Sequence, residues 1–583
     1  MANILTRRRL LGFKDFFPNE IPDAKEAYVN KLGKKLLEDS CCHFLSFFRN
    51  KKILEVEEII ENWFTFNDFK FINSPSYWVI KNEFERIKNF DTEGNFAIIS
   101  VESLLNMFMW LQENEDLPIE STGFDASLTM PFFKIHLLFN DEVLRNYKKA
   151  GESIMHFGND RKIQRLIFAC TFPQHDLINV DYAQLFYSQM YKKTKLLEFL
   201  SKQSKYELLI QKLLKDFCCL TTEDFFIAIS NAVYSSLNMG KSGCIILNIP
   251  DDSERNKKIC ILENFVIDGN DTYELEGDDY LMLRKKPLQK IKEGKYRVIY
   301  DLFLIKKLYN GLIKKLSSYD ENFTGIIRDE FSEGVLVYDC IKRILNFEEW
   351  KTITGNQFKV VNLKVAPDFY ARKGNDIMLF ESKDFFMNGA SKLSYDFTII
   401  ENNLKTNGKS PKEDRLMKAC SQLLKNTERV ILKEMPLDNE YEAETIRIFP
   451  IIIVHDSLYS APALNYWIYY WFIDKLETLK TDIRFEGFDF NRIMPLTIIE
   501  IDSLILYQQC FVEKQFDLLS LIENYQQFVR FDLAGKLPPQ FVEEHAMKSA
   551  LSFSEFVRNQ AHNLNIEIDF KIITPLLKNF GIS

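Results

Sequence analysis

Through most of residues 1–238, apolar side chains recur at spacings of three and four. That period predicts amphipathic helices over Ala24 to Phe48, Ile53 to Phe64, Val101 to Gln112 and Leu196 to Phe217. Irregular, proline-containing stretches near Leu117 to Pro131 and Phe172 to Val180 separate them. From Lys241 to about Arg297 the pattern changes. Short apolar runs alternate with Gly, Asp and Asn, which predicts a small β-rich segment. Beyond Val298 the period switches several times. Ile326 to Leu345 places Phe331, Gly334, Tyr338, Ile341 and Leu345 on one helical face. Val365 to Arg372 and Ile377 to Lys383 read as two strands around a Gly374-Asn375 turn, since both turn residues tolerate positive φ. Arg415 to Lys425 returns to helical spacing. Thr445 to Val454 is continuously apolar, as in a strand covered on both faces. Pro450 lacks a ladder donor, which argues against a central place for that strand. Pro495 to Ile501 predicts a further strand ahead of a helix from Ser503 to Tyr525. Asn388 to Asp414, with Gly389, Gly408 and Pro411, reads as a mobile loop beside the hairpin. The expectation is a mixed α/β chain in three parts: a mainly helical region over 1–238, a β-rich segment over 239–297, and an α/β region with a helical tail over 298–583.

The hairpin carries the chemistry. If Gly374 and Asn375 form its loop, Lys373 pairs with Asp376, and counting outward sets Asp368 opposite Glu381. Directly opposed residues hold their Cβ atoms roughly 4.5–5.5 Å apart. Alternation along the strand puts Glu381 and Lys383 on one face and Ser382 on the other. Two carboxylates and an ammonium thus converge. Adjacent carboxylates repel unless a cation lies between them, and an all-oxygen set suits Mg²⁺ or Mn²⁺. Lys383 beside such a cation could orient or deprotonate a water, or stabilise a negative transition state. The plainer alternative is a hairpin with ordinary solvated charges.

With Pro367 before the first acid and Glu381-Ser382-Lys383 closing the second strand, this stretch resembles the PD-(D/E)xK, or restriction-endonuclease-like, nuclease superfamily. The resemblance covers about Ile326 to Asp456. It implies a restriction-endonuclease-like core, metal ligation by Asp368 and Glu381, and a catalytic Lys383. It also implies a glutamine near the site on the following helix, where Gln422 stands, and an outer acid on the preceding helix, where Glu333 or Glu330 stands. The activity implied is Mg²⁺- or Mn²⁺-dependent hydrolysis of nucleic acid, DNA favoured over RNA, in a role such as bacterial restriction or antiviral defence. The N-terminal region would then supply recognition, regulation or a protein partner. The alternative is a non-catalytic interaction or scaffold protein that keeps such a core.

Composition narrows the setting. At 583 residues the chain exceeds a single hydrophobic core. No apolar leader follows Met1, and the apolar segment Ala461 to Ile473 is too short to span a bilayer, so a cytoplasmic protein without membrane contact is expected. The ten cysteines include Cys41-Cys42 and Cys218-Cys219 but no CxxC, and are expected to be free thiols. His455-Asp456 closes the apolar strand within possible reach of the hairpin. Gly240-Lys241-Ser242 and Gly408-Lys409-Ser410 lack the leading glycine of a phosphate loop, with Ser235 and Asn403 in its place, so nucleotide hydrolysis is not indicated. A net charge of −9 excludes a broadly basic nucleic-acid wrapper. Locally, Arg284 to Arg297 holds seven basic residues. They could neutralise phosphates, or pair with the acidic stretch Asp271 to Asp279 just before them.

Overall fold

The computed structural model describes the chain except residues 1–7, 51–54, 66–70, 73, 93, 121–124, 159–160, 179, 239–243, 269–278, 407–413, 534–535, 567 and 569–583. Ten strands are described. β1 (Arg9–Leu10) and β2 (Phe96–Ala97) form a small parallel pair within the helical N-terminal region. β3 (Ile246–Asn248), β4 (Leu288–Lys292) and β5 (Lys295–Val298) make a three-stranded antiparallel sheet in the order β3-β5-β4. β6 (Lys351–Thr354), β7 (Phe369–Lys373), β8 (Asp376–Lys383), β9 (Arg447–Val454) and β10 (Thr497–Glu500) build the main sheet, in the order β10-β9-β8-β7-β6. The fold is therefore mixed α/β.

In the main sheet, β6-β7 and β7-β8 are antiparallel, while β8-β9 and β9-β10 are parallel. Parallel neighbours need a crossover, and helices supply both. Helix Arg415–Ile431 packs on β8 and β9, and helix Leu464–Lys480 returns the chain to β10. The first buries Leu416, Ala419, Cys420, Leu423, Thr427 and Val430 at helical spacing. With helices covering it, β9 is buried from Ile448 to Val454, as its continuous apolar run predicts.

Pro450 sits in this central strand after all. The Arg447 amide donates to Asn375 on the β8 side, and the Ile448 carbonyl accepts from Met494 on the β10 side. Alternation then turns the donorless nitrogen of Pro450 toward β10. There it falls between the bridge at Ile448 and the β10 ladder, which starts at Ile451. No ladder bond is lost, so the proline is tolerated.

The hairpin register is as counted, with Lys373 opposite Asp376 and Phe369 opposite Phe380. Gly374 alone takes positive φ, +57°, while Asn375 does not, which suits a turn with glycine at its first central position. At its far end the hairpin is pinned by Asp438, whose side chain is fully buried. Arg372 donates to both Asp438 oxygens at 2.6 and 3.0 Å, and the Tyr370 hydroxyl donates at 2.8 Å. Burial alone would raise the Asp438 carboxyl, but Arg372 and Tyr370 outweigh it and hold it below the ordinary range.

Several predicted boundaries shift. β7 begins at Phe369, not Val365, because Val365 adopts φ +56° in a turn. Ala24 to Phe48 breaks at Gly33, φ +79°, into helices Lys25–Leu32 and Lys34–Leu45. Leu196 to Phe217 is the end of one helix, Tyr182–Ser201, and a second, Glu207–Asp216. The tail helix Ser503 to Tyr525 divides into Ile501–Leu506, Gln508–Val512 and Leu518–Val529. The expected loop Asn388 to Asp414 instead contains helices Gly389–Lys392 and Phe397–Lys405; its Gly408 and Pro411 lie outside the described residues. Both GKS tripeptides also fall outside them. Ala461 to Ile473 opens the buried helix Leu464–Lys480, and among the described residues no helix is long and apolar enough to cross a membrane. The cysteine expectation needs correction too: Cys218 and Cys260 form a disulfide, and eight cysteines are free. Their separation of 42 residues left no local spacing to reveal the pair.

Candidate active site

Asp368 precedes β7 and stands opposite Glu381 in the extended register. The Ser382 amide donates to Asp368 Oδ2 at 2.6 Å, drawing that carboxyl onto the end of β8. Lys383 Nζ donates to Glu381 Oε2 at 3.2 Å, so the two share a face. Ser382 points the other way, its hydroxyl 2.8 Å from His455 Nε2. His455 is thus on the opposite side of the sheet from the carboxylates, where burial lowers its pKa. It does not join this cluster.

Two elements close the site. Helical residues 327–337 widen to i→i+5 turns, and Glu333 lies within them. The Tyr338 hydroxyl donates to Glu333 Oε1 at 2.8 Å, and Lys359 Nζ stands 3.8 Å from the same oxygen. Glu330, the other upstream candidate, faces away and pairs with Lys205 at 2.7 Å. Across the site, Gly355 opens the short helix Gly355–Val360 and donates its amide to the Asp368 carbonyl at 2.7 Å. A Cβ at this glycine would stand 2.8 Å from the Tyr338 hydroxyl and 3.1 Å from that carbonyl. Only glycine fits between them. From the sequence Tyr338 reads only as part of the apolar helical face and Lys359 is not singled out; no local pattern signals either role, because the widened helix is a property of the fold.

The electrostatics follow from three carboxyls facing two ammoniums, Lys383 at the hairpin and Lys359 at Glu333. Burial pushes Glu381 well above the ordinary carboxylate range, and Asp368 pushes it further, against Lys383. Burial raises Asp368 as well, offset by Lys383 and the Ser382 amide. Glu333 rises through burial and the charge of Asp368. For Lys383, burial favours the neutral form, but Glu381 and Asp368 prevail and raise its pKa. Glu381 is 0% exposed, and its Oε1 has no hydrogen-bond partner among the described residues. A buried, unpaired carboxylate oxygen is costly, and a cation would relieve it.

The donor set fits a hard divalent cation of a particular kind. Among the described residues no group of three or more His, Cys, Asp or Glu is placed to hold a metal. Asp368 and Glu381 offer two carboxylates, and Mg²⁺ typically takes one or two, filling its shell with water and phosphate oxygens. Gln422 lies on the helix packed against β8, its Oε1 buried and without a hydrogen-bond partner among the described residues. No hydrogen bond among the described residues links it to Glu381 or Lys383.

The basic run Arg284 to Arg297 is largely neutralised within the fold. Arg284 is partly buried, 3.0 Å from both Asp176 and Asp279. Lys290 pairs with Glu263 at 2.8 Å, Lys286 approaches Asp268, and Arg297 pairs with Asp39. Of the acidic stretch, only Asp279 is described, and it does pair with Arg284. Four of its seven charges are thus taken up within the fold, while Lys285, Lys292 and Lys295 enter no ion pair among the described residues.

Comparison with protein families, with curated proteins and with solved structures gives no match. What the site does must be argued from its own residues.

Proposed function

We propose that the chain is a metal-dependent nuclease of the PD-(D/E)xK kind, hydrolysing phosphodiester bonds in nucleic acid, DNA before RNA. One observation carries the reading. A fully buried glutamate with an unpartnered oxygen faces a second carboxylate and a lysine at the end of a strand paired antiparallel on one side and parallel on the other. Such a cluster adds nothing to packing, and like charges there oppose folding; a scaffold has no use for it. The strand order and the helix between β8 and β9 are compatible with a restriction-endonuclease-like core, with Mg²⁺ or Mn²⁺ held by Asp368 and Glu381.

Bound there, the cation would neutralise a phosphoryl oxygen and acidify a water. Lys383, kept protonated by its two acid neighbours, stabilises charge developing on the phosphorane oxygens and orients the attacking water. The Ser382 amide fixes Asp368, and Tyr338 fixes Glu333 as the outer acid. Gln422 contributes a polar group from the helix behind β8. The N-terminal region would supply recognition, regulation or a protein partner, in a cytoplasmic defence or restriction role.

Incubating the purified chain with single- and double-stranded DNA and RNA, with Mg²⁺ or with EDTA, tests this directly. Metal-dependent cleavage that vanishes in Asp368→Ala and Glu381→Ala is expected. Equal cleavage by both variants and the parent would sink the proposal.

A further inference from the structure

Residues 359–366 lead from the helix Gly355–Val360 toward β7, with the carboxylate cluster at both ends. Lys359 Nζ is 3.8 Å from Glu333 Oε1, and Asp368 follows Ala366 by two residues. Three valines in this segment face solvent: Val360 is 81%, Val361 41% and Val365 51% exposed. Lys359 and Lys364, both exposed, are interspersed with them. Leu363 and Ala366 pack inward on the core, and Pro367 is buried, so the outward valines are not the product of a loose loop.

Val365 also adopts φ +56°, a left-handed conformation that β-branched residues rarely enter. The surroundings impose it. Arg429 donates through Nη1 to the Val365 carbonyl at 2.6 Å and through Nη2 to the Lys364 carbonyl at 2.5 Å. The same guanidinium donates to Asn426 Oδ1 at 2.9 Å, on the helix that packs against β8. Strain held in place beside a reactive cluster calls for a purpose at that position.

The composition of the segment selects its occupant. It has no aromatic ring, so it lacks the usual means of gripping unpaired bases by stacking. Small apolar wedges with cationic flanks suit a duplex minor groove, where apolar side chains press on base steps and lysines meet the phosphates. Resting on the nuclease reading above, we propose that Lys359 to Ala366 is a preformed wedge that enters the minor groove of double-stranded DNA and sets the scissile phosphate over Asp368 and Glu381.

Binding of a labelled DNA duplex to the full chain, followed by anisotropy with Ca²⁺ replacing Mg²⁺, tests the wedge. Changing Val360, Val361 and Val365 together to Ser should weaken duplex binding at least about tenfold, as burial of even two of the six methyl groups removed implies. Lys359→Ala with Lys364→Ala should make the salt dependence shallower by about two counterions. Val365→Gly should raise the melting temperature by removing the strain, yet weaken binding; damage to the fold cannot move the two in opposite directions. Loop variants that bind duplex like the parent overturn the wedge, as does a parent that prefers single strands or duplex RNA. The nuclease reading is scored separately, by cleavage in Mg²⁺: an Asp368→Asn variant as active as the parent defeats that reading. Normal duplex binding by the loop variants alongside an inactive Asp368→Asn defeats the wedge alone.

Discussion

Asp368→Asn should make the metal-free protein more stable, although it removes a residue at the centre of the site. Asp368 and Glu381 stand opposite each other in the extended hairpin register, and the charge of Asp368 bears on Glu381. Two unit charges about 4 Å apart repel by about 4 kcal/mol at an effective dielectric constant near 20. Burial is the larger reason that the neutral form of Asp368 is favoured, and the attractions of Lys383 and Lys359 offset the two effects only in part, since its pKa stays raised. Asparagine keeps an acceptor for the Ser382 amide. The net gain is about 1–2 kcal/mol. With an unfolding entropy of about 2 cal/mol/K per residue over 583 residues, melting should rise by about 1–2 °C if the chain unfolds as one unit. The pH dependence has a definite sign. Both carboxyls titrate above their unfolded values, so the folded state holds protons that the unfolded chain has released. Their favourable contribution is present at low pH and is lost as pH rises from the ordinary carboxylate range through the raised folded values. The advantage of asparagine therefore opens across that window and closes below it. Mg²⁺ at about ten times its dissociation constant would stabilise the parent by about 1.4 kcal/mol and narrow or reverse the gap. Scanning fluorimetry in EDTA and across a Mg²⁺ titration, at about pH 5 and near neutrality, reads all of this. An asparagine variant that melts below the parent in EDTA, or equal Mg²⁺ stabilisation of both, would refute the argument.

Lys383→Ala should lower the cleavage rate by about two orders of magnitude or more, as loss of an electrostatic or proton-transferring group does, while duplex affinity in Ca²⁺ holds steady. Proportional loss of affinity would make it a phosphate anchor. Glu333→Gln should slow cleavage, whereas Glu330→Ala should leave it unchanged and cost the exposed pair with Lys205 and a long hydrogen bond from the Tyr206 hydroxyl, about 1 kcal/mol; the opposite ranking in a cleavage time course would reverse the assignment. Arg284→Ala should destabilise by about 1.5–3 kcal/mol, since it removes charged hydrogen-bonding from Asp176 and Asp279, which both keep Lys392. Chemical denaturation measures this, and an unchanged midpoint with weakened nucleic-acid binding would return Arg284 to the role of a phosphate contact.

Local signals were enough for the hairpin. Gly374-Asn375 fixed the turn, the turn fixed the register, and a period of two put Glu381 with Lys383 and turned Ser382 away. The continuous apolar run ending at Val454 likewise announced a strand covered on both faces. What the sequence could not contain was set by contacts between distant segments. Glu333 rather than Glu330 meets the hairpin because the widened helix turns one inward and leaves the other to Lys205. Whether the basic run Arg284 to Arg297 is open or paired stayed undecided because Asp176, Asp39 and Glu263 lie outside it in sequence. Val365 was read as strand, since only Arg429, 64 residues on, holds it left-handed. Pro450 counted against a central strand, since only the place where β10 begins decides that its missing donor costs no bond. Side-chain period is a property of neighbours along the chain and survives without tertiary structure. Charge pairing, strain and burial depend on which partners the fold brings within a few ångströms, and no local pattern records them.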